Sequence, residues 1–295
     1  MLNKEAIREL QQIVGNEYVL TDREDLFIYS NDATNYSHLP DAVVKPATTQ
    51  EVASVVKVAA RYKIPITARG AATCLSGGTV PLKGGLIVET VRMNRIRTID
   101  VANKFAVAEA GVITFELITR VAEFGLLYPP DPSSYKESTI GGNVAECAGG
   151  PKGVKYGITR SFVLSVEAVL PDGTVIETGN AVDGDMCGPD WTMLLTGSEG
   201  TMALITAITL KLVPIPETKK TMMAIYSDLA DAAKTVSKTM ASGIIPTTLE
   251  LMDNLSIVAV EKAVKIGLPV HAGGLLIIEV DGVPSTVEEN AQRIS

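Results

Sequence analysis

The amino-acid sequence predicts an α+β chain with more than one domain. Apolar residues recur at helical spacing in some segments and form short strand-like runs in others, and both kinds occur along the whole chain. The chain has 295 residues, of which 46% are hydrophobic, and single cores seldom grow past about 250 residues. Pro214 and Pro216 interrupt the pattern, so we predict a domain boundary near residue 215.

The first hundred residues predict a helix followed by a strand-helix-strand unit. Ile7, Leu10 and Val14 share one helical face, and Gly15 is the expected left-handed stop. Thr48 and Glu51 form a capping box for the next helix. The predicted strands are 42–44, 64–68, 86–88 and 96–99, and the helix between the first two has a face of Val52, Val55, Val56 and Ala59.

The next segment predicts a strand, a helix and a long loop. The strand covers 105–110, and the helix has a face of Phe115, Ile118, Val121 and Ala122 and ends at Gly125. Residues 129–157 are rich in proline and glycine and show no periodicity, which predicts nearly thirty residues of loop. Long loops of this kind in compact domains are usually functional.

Strand character returns at 162–170 and 174–178, and Asp172-Gly173 between them suits a type I′ hairpin turn. A further strand is predicted at 202–213. After residue 215 we predict strands at 248–251 and 275–280. They follow a helix with a face of Leu229, Ala233, Val236 and Met240.

The end of the sequence predicts another helix. Ser285 and Glu288 form a second capping box, and the helix after it has only two or three turns before residue 295. The strand-helix alternation after residue 215 looks unfinished over about 80 residues. We therefore expect the sequence to be a fragment of a longer protein.

Composition and charge exclude several classes of function. The net charge of −8 argues against a nucleic-acid-binding protein, and the sequence shows neither a membrane-spanning apolar run nor a signal peptide, so we expect a cytoplasmic protein. The cysteines, Cys74, Cys147 and Cys187, form no C-x-x-C pair, which indicates reduced thiols. His38 and His271 stand alone, and we expect no metal site.

A glycine- and alanine-rich stretch follows the predicted strand at 64–68. It reads Arg69-Gly70-Ala71-Ala72-Thr73-Cys74-Leu75-Ser76-Gly77-Gly78. Neither a P-loop motif nor a Rossmann motif occurs. Small residues here allow backbone N–H groups to form a concave nest for an anion such as a pyrophosphate, with Thr73 and Ser76 adding hydroxyl donors. A surface loop rich in small residues has the same pattern, so this stretch alone leaves both interpretations open.

A second stretch has an unusual density of small residues. It contains Pro130-Asp131-Pro132-Ser133-Ser134, Thr139-Ile140-Gly141-Gly142-Asn143-Val144-Ala145, Ala148-Gly149-Gly150 and Tyr156-Gly157. Missing side chains leave room for a flat ligand and expose backbone donors to it. The two stretches together favour a ligand site over a surface loop.

Two more segments accompany these stretches: a strand that ends in Leu-Pro-Asp-Gly at 170–173, and Gly-Ser-Glu-Gly-Thr at 197–201. Together the segments resemble those of FAD-linked oxidases. The resemblance is to the p-cresol methylhydroxylase and vanillyl-alcohol oxidase type, in particular the glycolate oxidase and D-lactate dehydrogenase branch, and it covers residue 40 to the end. It implies a PCMH-type FAD-binding domain at 1–215, with subdomains at about 1–100 and 101–215. Part of an α+β, ferredoxin-like cap domain then follows at 216–295.

The resemblance also implies which residues bind the flavin. The loop at 69–78 would contact the pyrophosphate, residues 130–150 the ribityl chain and ring, and residues near 199–205 the other side. The implied cofactor-binding residues are Arg69, Gly70, Ala71, Ala72, Thr73, Ser76, Gly77, Pro130, Asp131, Pro132, Ser133, Thr139, Gly141, Gly142, Asn143, Ala145, Ala148, Gly149, Gly150, Tyr156, Gly157, Glu199, Gly200 and Ile205.

Two departures from the family pattern matter. Ala72 stands where relatives often have glycine, and we expect it to have a negative φ. Some relatives bond FAD covalently through a histidine in this loop, and this loop has none. The resemblance therefore implies non-covalent FAD, although Cys74 and Cys147 leave a covalent link open.

The implied activity is oxidation of a small D-2-hydroxy acid of the lactate or glycolate type to the 2-keto acid, with hydride transfer to flavin N5. Electrons would pass to a soluble carrier, such as an electron-transferring flavoprotein, or to a partner subunit. The catalytic base and the cation for the carboxylate are unassigned and expected beyond residue 295, since His271 is more typical of a structural or surface histidine.

Two alternatives stay open. One is a flavin reductase of the cell-wall precursor type, and the other is a non-catalytic FAD-binding subunit.

Overall fold

The computed structural model describes residues 2–179 and 189–295. Their contacts divide the chain into two compact units. The larger unit takes in residues up to Tyr128, then Pro132–Ala148 and Ile158–Val213. The smaller unit takes in Pro129–Asp131, Gly149–Gly157 and Pro214–Ser295. Each unit mixes helices with sheet, as the α+β prediction requires.

The larger unit begins with a four-stranded sheet covered by two helices. The elements are α1 (Lys4–Val14), β1 (Val19–Leu20), α2 (Arg23–Ile28), β2 (Ala42–Val44), α3 (Thr49–Tyr62), β3 (Ile66–Arg69) and β4 (Leu86–Glu89). The strand order is β1-β2-β4-β3, and β2 and β3 both run parallel to β4. Leu10 of α1 and Val55 of α3 lie in the same buried cluster as Leu86 of β4, so the predicted helical faces are confirmed.

The ends of α1 and α3 differ in detail from the prediction. Thr48 accepts the N–H of Glu51 at 3.1 Å, as a capping box requires. The Glu51 carboxylate accepts the N–H of Ala47 at 2.7 Å, one residue before the expected donor. Gly15 has a φ of 98° with an extended ψ of 149°, so it ends α1 with a positive φ but not in the left-handed helical conformation.

A five-stranded antiparallel sheet forms the rest of the larger unit. The elements are β5 (Ile96–Asp100), β6 (Phe105–Glu109), α4 (Thr114–Ala122), β7 (Leu126–Leu127), α5 (Ile140–Glu146), α6 (Gly153–Tyr156, in the smaller unit), β8 (Val163–Val169), β9 (Val175–Gly179), α7 (Trp191–Leu195), β10 (Leu204–Lys211) and β11 (Val213–Pro214). The strand order is β5-β6-β10-β8-β9. The predicted strands at 96–99, 105–110, 162–170 and 174–178 are confirmed within two residues.

The prediction of an unbroken loop at 129–157 is wrong, because α5 and α6 lie inside it. Thr139 caps α5 by accepting the N–H of Gly142 at 3.2 Å. Asn143 on the same helix is buried and donates its side-chain amide to Thr114 Oγ1 at 2.7 Å. These contacts define a seven-residue helix too short and too rich in glycine to give a periodic signal.

The buried faces of α4 and of α8 (Leu229–Ala241, in the smaller unit) also differ from prediction. Leu117 and Val121 are buried on α4, whereas Phe115 is 46% exposed and lies 5.9 Å from the ring of Tyr135. Among the residues predicted to form the α8 face, Leu229 is 39% exposed. The spacing of apolar residues predicted the wrong buried face for each helix. The reason is that the buried residues of each helix include a threonine or a small residue, which the apolar pattern does not count.

The turn between β8 and β9 is not type I′. Gly173 has a φ of 82° and donates its N–H to the Leu170 carbonyl at 2.8 Å, but Asp172 has no positive φ. A type I′ turn needs positive φ at both central residues. Asp172 instead accepts the N–H of Thr174 at 2.8 Å, so its side chain stabilises a local turn.

The smaller unit contains a three-stranded antiparallel sheet of order β12-β14-β13. Its further elements are β12 (Thr218–Tyr226), α8 (Leu229–Ala241), β13 (Thr248–Asp253), α9 (Asn254–Val264), β14 (Gly274–Gly282) and α10 (Pro284–Ile294). Ile257 of α9 packs on Leu275, and Val287 of α10 packs on Val280. The central strand therefore carries buried residues on both faces.

The predicted capping box of Ser285 and Glu288 is wrong. The helix α10 begins at Pro284, and Ser285 lies within its first turn with no side-chain cap. Proline is favoured at this first position because its missing N–H would have no helical partner. The Glu288 carboxylate instead accepts a hydrogen bond from Lys220 at 2.8 Å.

Two absences hold for the described residues alone. Among residues 2–179 and 189–295, no helix is long and apolar enough to cross a membrane. Within the same ranges, no group of three or more histidine, cysteine, aspartate or glutamate side chains could hold a metal ion. Cys74 and Cys147 are free thiols, and Cys187 lies outside the described residues.

Candidate functional site

The larger unit contains a cavity of about 370 Å³, within the usual range of small-molecule sites. The end of β3, the loop after it, helix α5 and the start of β10 line it. Fifteen of the residues predicted to bind the cofactor lie together here: Arg69, Gly70, Ala71, Ala72, Thr73, Ser133, Thr139, Gly141, Gly142, Asn143, Ala145, Ala148, Glu199, Gly200 and Ile205. Residues as far apart in the sequence as Arg69 and Ile205 thus meet around one space.

The loop after β3 has backbone N–H groups beside this space that are unpaired in the described parts of the chain. No N–H group of residues 71–76 donates a hydrogen bond to an acceptor in the described parts of the chain, and residues 71–75 line the cavity. Ala72 has a φ of 55°, so the expectation of a negative φ there is wrong. A left-handed residue inside such a turn brings successive N–H groups together into a concave anion-binding surface.

Arg69 places a buried cation beside this loop. The residue is 9% exposed, and its guanidinium donates to the carbonyls of Asn31 at 2.9 Å and Tyr29 at 3.3 Å. It also lies 5.3 Å from the centre of the Tyr29 ring. Burial lowers the pKa of Arg69 below its ordinary value, although an arginine stays charged at neutral pH. Its charge therefore favours an anion in the cavity.

Glycines allow three backbone segments to pack closely around the cavity. A Cβ on Gly70 would lie 2.3 Å from Thr139 Oγ1, and a Cβ on Gly141 would lie 2.8 Å from the Ala110 carbonyl. Neither distance is possible for a side chain without movement of its neighbour. The end of β3 therefore meets the start of α5, and α5 meets the end of β6, only because both positions lack a side chain.

Two carboxylates line the cavity near the C-terminal end of the loop after β3. Glu146 at the end of α5 accepts a hydrogen bond from Ser76 Oγ at 2.8 Å. Glu199 has a φ of 52°, and its N–H donates to the Ala145 carbonyl at 3.0 Å. A left-handed glutamate is uncommon and is often found at functional sites. The segment at 197–201 is thereby fixed against α5.

Three predicted residues of the larger unit do not line the cavity, namely Ser76, Gly77 and Pro132. Six others belong to the smaller unit, namely Pro130, Asp131, Gly149, Gly150, Tyr156 and Gly157. In that unit Tyr156 donates its hydroxyl to Asp281 Oδ2 at 2.8 Å, and Lys152 Nζ lies 3.3 Å from Asp131 Oδ2. Burial raises the pKa of Asp131 and, together with Asp281, that of Tyr156.

Twelve further residues line the cavity that were not named individually among the predicted cofactor-binding residues: Ala68, Cys74, Leu75, Gly78, Thr79, Thr90, Ala110, Ser134, Ser138, Glu146, Ala203 and Leu204. Most are sequence neighbours of predicted residues. Thr90 carries a different signal, because β3 and β4 are parallel neighbours with Arg69 paired to Glu89. The residues that follow the two strands must emerge at the same end of the sheet, so a correct strand pairing would have identified Thr90.

Two family models match the chain. Residues 40–179 match the FAD binding domain, and residues 215–295 match the C-terminal domain of FAD linked oxidases. Together the two ranges cover most of the chain. The resemblance inferred from the sequence motifs is therefore confirmed.

Curated relatives agree with these families. The chain is 44% identical to the glycolate oxidase subunit GlcD of Bacillus subtilis over 295 residues, which is 100% of this chain and 63% of the relative. It is 38% identical to GlcD of Escherichia coli strain K12, over 98% of this chain and 58% of that protein. It is 36% identical to a D-lactate dehydrogenase of Anaerostipes hadrus, over 88% and 54%. The chain thus spans less than two thirds of each relative's length.

Solved structures share the fold. The chain superposes on p-cresol methylhydroxylase with a TM-score of 0.83 at 21% identity, over 98% of this chain and 62% of that one. It superposes on alkyldihydroxyacetonephosphate synthase with a TM-score of 0.85 at 22% identity, over 100% and 58%. The predicted PCMH-type fold is confirmed.

Proposed function

Because the chain belongs to the FAD-linked oxidases, we propose that its larger unit holds FAD without a covalent bond and serves the oxidation of a small D-2-hydroxy acid. The observation that carries this proposal is the row of unpaired N–H groups at residues 71–76 beside the buried guanidinium of Arg69. Backbone nests of this kind bind phosphate groups.

The residues around the cavity fit a flavin dinucleotide. The N–H groups of residues 71–75 and the charge of Arg69 would hold the pyrophosphate. Small residues of α5, among them Gly142 and Ala145, and the stretch from Gly200 to Ile205 would pack against the rest of the cofactor. When bound, FAD accepts a hydride equivalent from the substrate. The protein residues bind it, orient it and exclude water.

The side chains at the cavity support non-covalent attachment. Neither histidine of the chain lines it. Cys74 does line it, but the Cys74 thiol donates a hydrogen bond to Asp32 Oδ2 at 3.3 Å and is thus engaged with a protein side chain. Cys147 is the left-handed C-cap of α5 and does not line the cavity.

Hydroxy acids are the substrate class that the relatives support. Two relatives are named as glycolate oxidase subunits and another as a D-lactate dehydrogenase, and glycolate and D-lactate are both small 2-hydroxy acids. The GlcD proteins are named as subunits. We therefore propose that electrons leave through a partner subunit or a soluble carrier such as an electron-transferring flavoprotein.

The experiment begins with the purified chain titrated with FAD and followed by quenching of flavin fluorescence. We expect saturable binding, and acid precipitation should release all the flavin into the supernatant. A pellet that keeps the flavin would overturn the non-covalent assignment. A well-folded chain indifferent to FAD would overturn the proposed function.

The activity is tested on protein purified from its own organism, with any partner subunits. Under anaerobic conditions, glycolate, D-lactate, D-glycerate or D-2-hydroxyglutarate should bleach the flavin absorbance. Bleaching by NADPH in place of every hydroxy acid would indicate a reductase instead. Rapid oxygen consumption without an added carrier would contradict the proposed route for electrons.

A further inference from the structure

Asp32 lies between α2 and β2, and its carboxylate contacts the loop that follows β3. Oδ2 accepts a hydrogen bond from the Cys74 thiol at 3.3 Å, and the backbone of Gly77 helps to lower the pKa of the carboxylate. Oδ1 accepts the N–H of Thr34 at 2.8 Å and its hydroxyl at 2.5 Å. One side chain thus links a local turn at 32–34 to the loop.

The segment at 29–37 is tied to the same loop in two other places. Arg69, at the start of the loop, donates to the carbonyls of Tyr29 and Asn31. At the other end, the Tyr36 ring lies 3.2 Å from the position that a Cβ on Gly77 would take. Residues 71–76 lie between these two contacts, and their N–H groups have no acceptor in the described chain. The loop is therefore fixed on both sides of its unpaired donors.

The charge of Asp32 is unexpected at this place. Burial raises its pKa, but hydrogen bonds from Thr34, Cys74 and Gly77 outweigh burial and hold the pKa below its ordinary value. The side chain is therefore ionised at neutral pH. A negative charge near an anion site weakens anion binding through repulsion. The presence of Asp32 is explained if the loop conformation that it stabilises strengthens anion binding more than its negative charge weakens it.

We propose that Asp32 is a positioning residue for phosphate binding: by accepting the hydrogen bond from Cys74, it holds the N–H groups of 71–76 in the conformation that receives the pyrophosphate. This inference rests on the proposed function, because it assumes that FAD binds in the cavity. Asp32 itself does not line the cavity.

The substitution Asp32→Asn separates geometry from charge, because the two effects have opposite signs. Asparagine keeps one oxygen that can accept from Thr34, but its amide nitrogen cannot accept from Cys74. If Asp32 positions the loop, FAD should bind about tenfold more weakly, which corresponds to the loss of one or two hydrogen bonds. If only its charge matters, FAD should bind more tightly.

Asp172→Asn is the matched control. Asp172 accepts the N–H of Thr174 two residues later at 2.8 Å, as Asp32 does with Thr34, and in the described chain it makes no hydrogen bond to residues 70–79. Its FAD dissociation constant should equal that of the wild type. Adenosine diphosphate, used as a competitor of FAD, should lose affinity in Asp32→Asn in parallel with FAD, because the two ligands share the pyrophosphate.

The reactivity of Cys74 reports the same contact independently. In cofactor-free Asp32→Asn, alkylation of Cys74 should be faster than in the wild type, because the thiol loses its hydrogen bond to Asp32 Oδ2. Cys147 serves as an internal reference in the same mass spectrum. An unspecific loosening of the fold would accelerate both reactions.

A second pair of variants applies if Asp32→Asn fails to fold. Cys74→Ser keeps a donor to Asp32 and Cys74→Ala does not, so Cys74→Ala should bind FAD several-fold more weakly than Cys74→Ser. Equal FAD affinities of the two Cys74 variants would overturn the positioning role. So would a folded Asp32→Asn variant that binds FAD as tightly as the wild type or more tightly. Neither outcome would contradict FAD binding itself. Absence of FAD binding in the wild type would instead overturn the proposed function.

Discussion

Gly141 donates its N–H to the Ala110 carbonyl at 2.8 Å, and a Cβ on Gly141 would lie 2.6 Å from Ala110 Cβ. Helix α5 is therefore in direct backbone contact with the end of β6. Both residues line the cavity. The closeness of this contact sets the position of the first turn of α5.

Gly141→Ala should destabilise the protein by about 1 to 3 kcal/mol, the usual cost of inserting a methyl group into a packed interior. Thermal or denaturant unfolding measures the loss. Gly142→Ala is the control on the next residue of the same helix, because its added Cβ would meet only Thr139 Oγ1, at 3.1 Å. Equal stabilities for the two variants would show that the contact with Ala110 is not tight.

This contact also shows what the sequence could reveal about the site. The density of small residues at 139–150 correctly predicted close backbone approach, but not its partner. At Gly70 and Gly141 the neighbouring atoms are protein atoms, Thr139 Oγ1 and Ala110. Periodicity could not identify α5 either, because its buried face consists of residues such as Gly141 and Asn143.

Strands and long helices were more predictable than helix rotation. The strand β4 is a run of three fully buried apolar residues, which gives a clear signal. In α4 the buried positions include Thr114, held by Ser138 and Asn143, while Phe115 is partly exposed. A hydrogen-bonded threonine in the interior looks polar in the sequence, so the inferred face was rotated by one residue.

Ala72→Gly should stabilise the protein by up to about 1 kcal/mol, because the left-handed conformation costs alanine roughly this much and glycine nothing. The φ of 55° at Ala72 is the basis of this expectation. FAD affinity should be retained. Ala71→Gly is the control, since Ala71 has no positive φ, and it should be neutral or destabilising. Equal shifts in melting temperature for the two variants would contradict the left-handed assignment.

Asp281→Asn should loosen the segment Gly149–Gly157 within the smaller unit. Asp281 is nearly buried and accepts hydrogen bonds from the Lys155 ammonium and from the Tyr156 hydroxyl. Losing these partners should cost about 1 to 3 kcal/mol. Hydrogen exchange of the peptide at 149–157 should accelerate. Glu288→Gln, which breaks the exposed pair with Lys220, should leave that peptide unchanged, and equal exchange in both variants would argue against this anchoring.

Glu109→Gln should remove a stabilising contribution that depends on pH. The Glu109 carboxylate is fully buried, with Arg95 Nη2 at 2.9 Å and Arg97 Nε at 3.3 Å. Burial raises the pKa of Glu109, but the hydrogen bonds from Arg95 and Arg97 outweigh burial and bring the pKa below its ordinary value of 4.5. At neutral pH the variant should lose about 1 to 3 kcal/mol of unfolding free energy.

The sign of the pH dependence follows from the lowered pKa. The unfolded chain binds the proton at higher pH than the folded chain does, so the Glu109 contribution is complete above pH 4.5 and falls as the pH drops through the folded pKa. The difference in unfolding free energy between wild type and Glu109→Gln should therefore shrink between about pH 5 and pH 3. Glu123→Gln, which breaks an exposed pair with Arg120, should change stability by under about 1 kcal/mol at any pH. The difference in unfolding free energy between wild type and Glu109→Gln could instead stay constant down to pH 3. That result would mean that Glu109 has the same pKa in the folded and unfolded chains, and it would contradict the role of the two arginines.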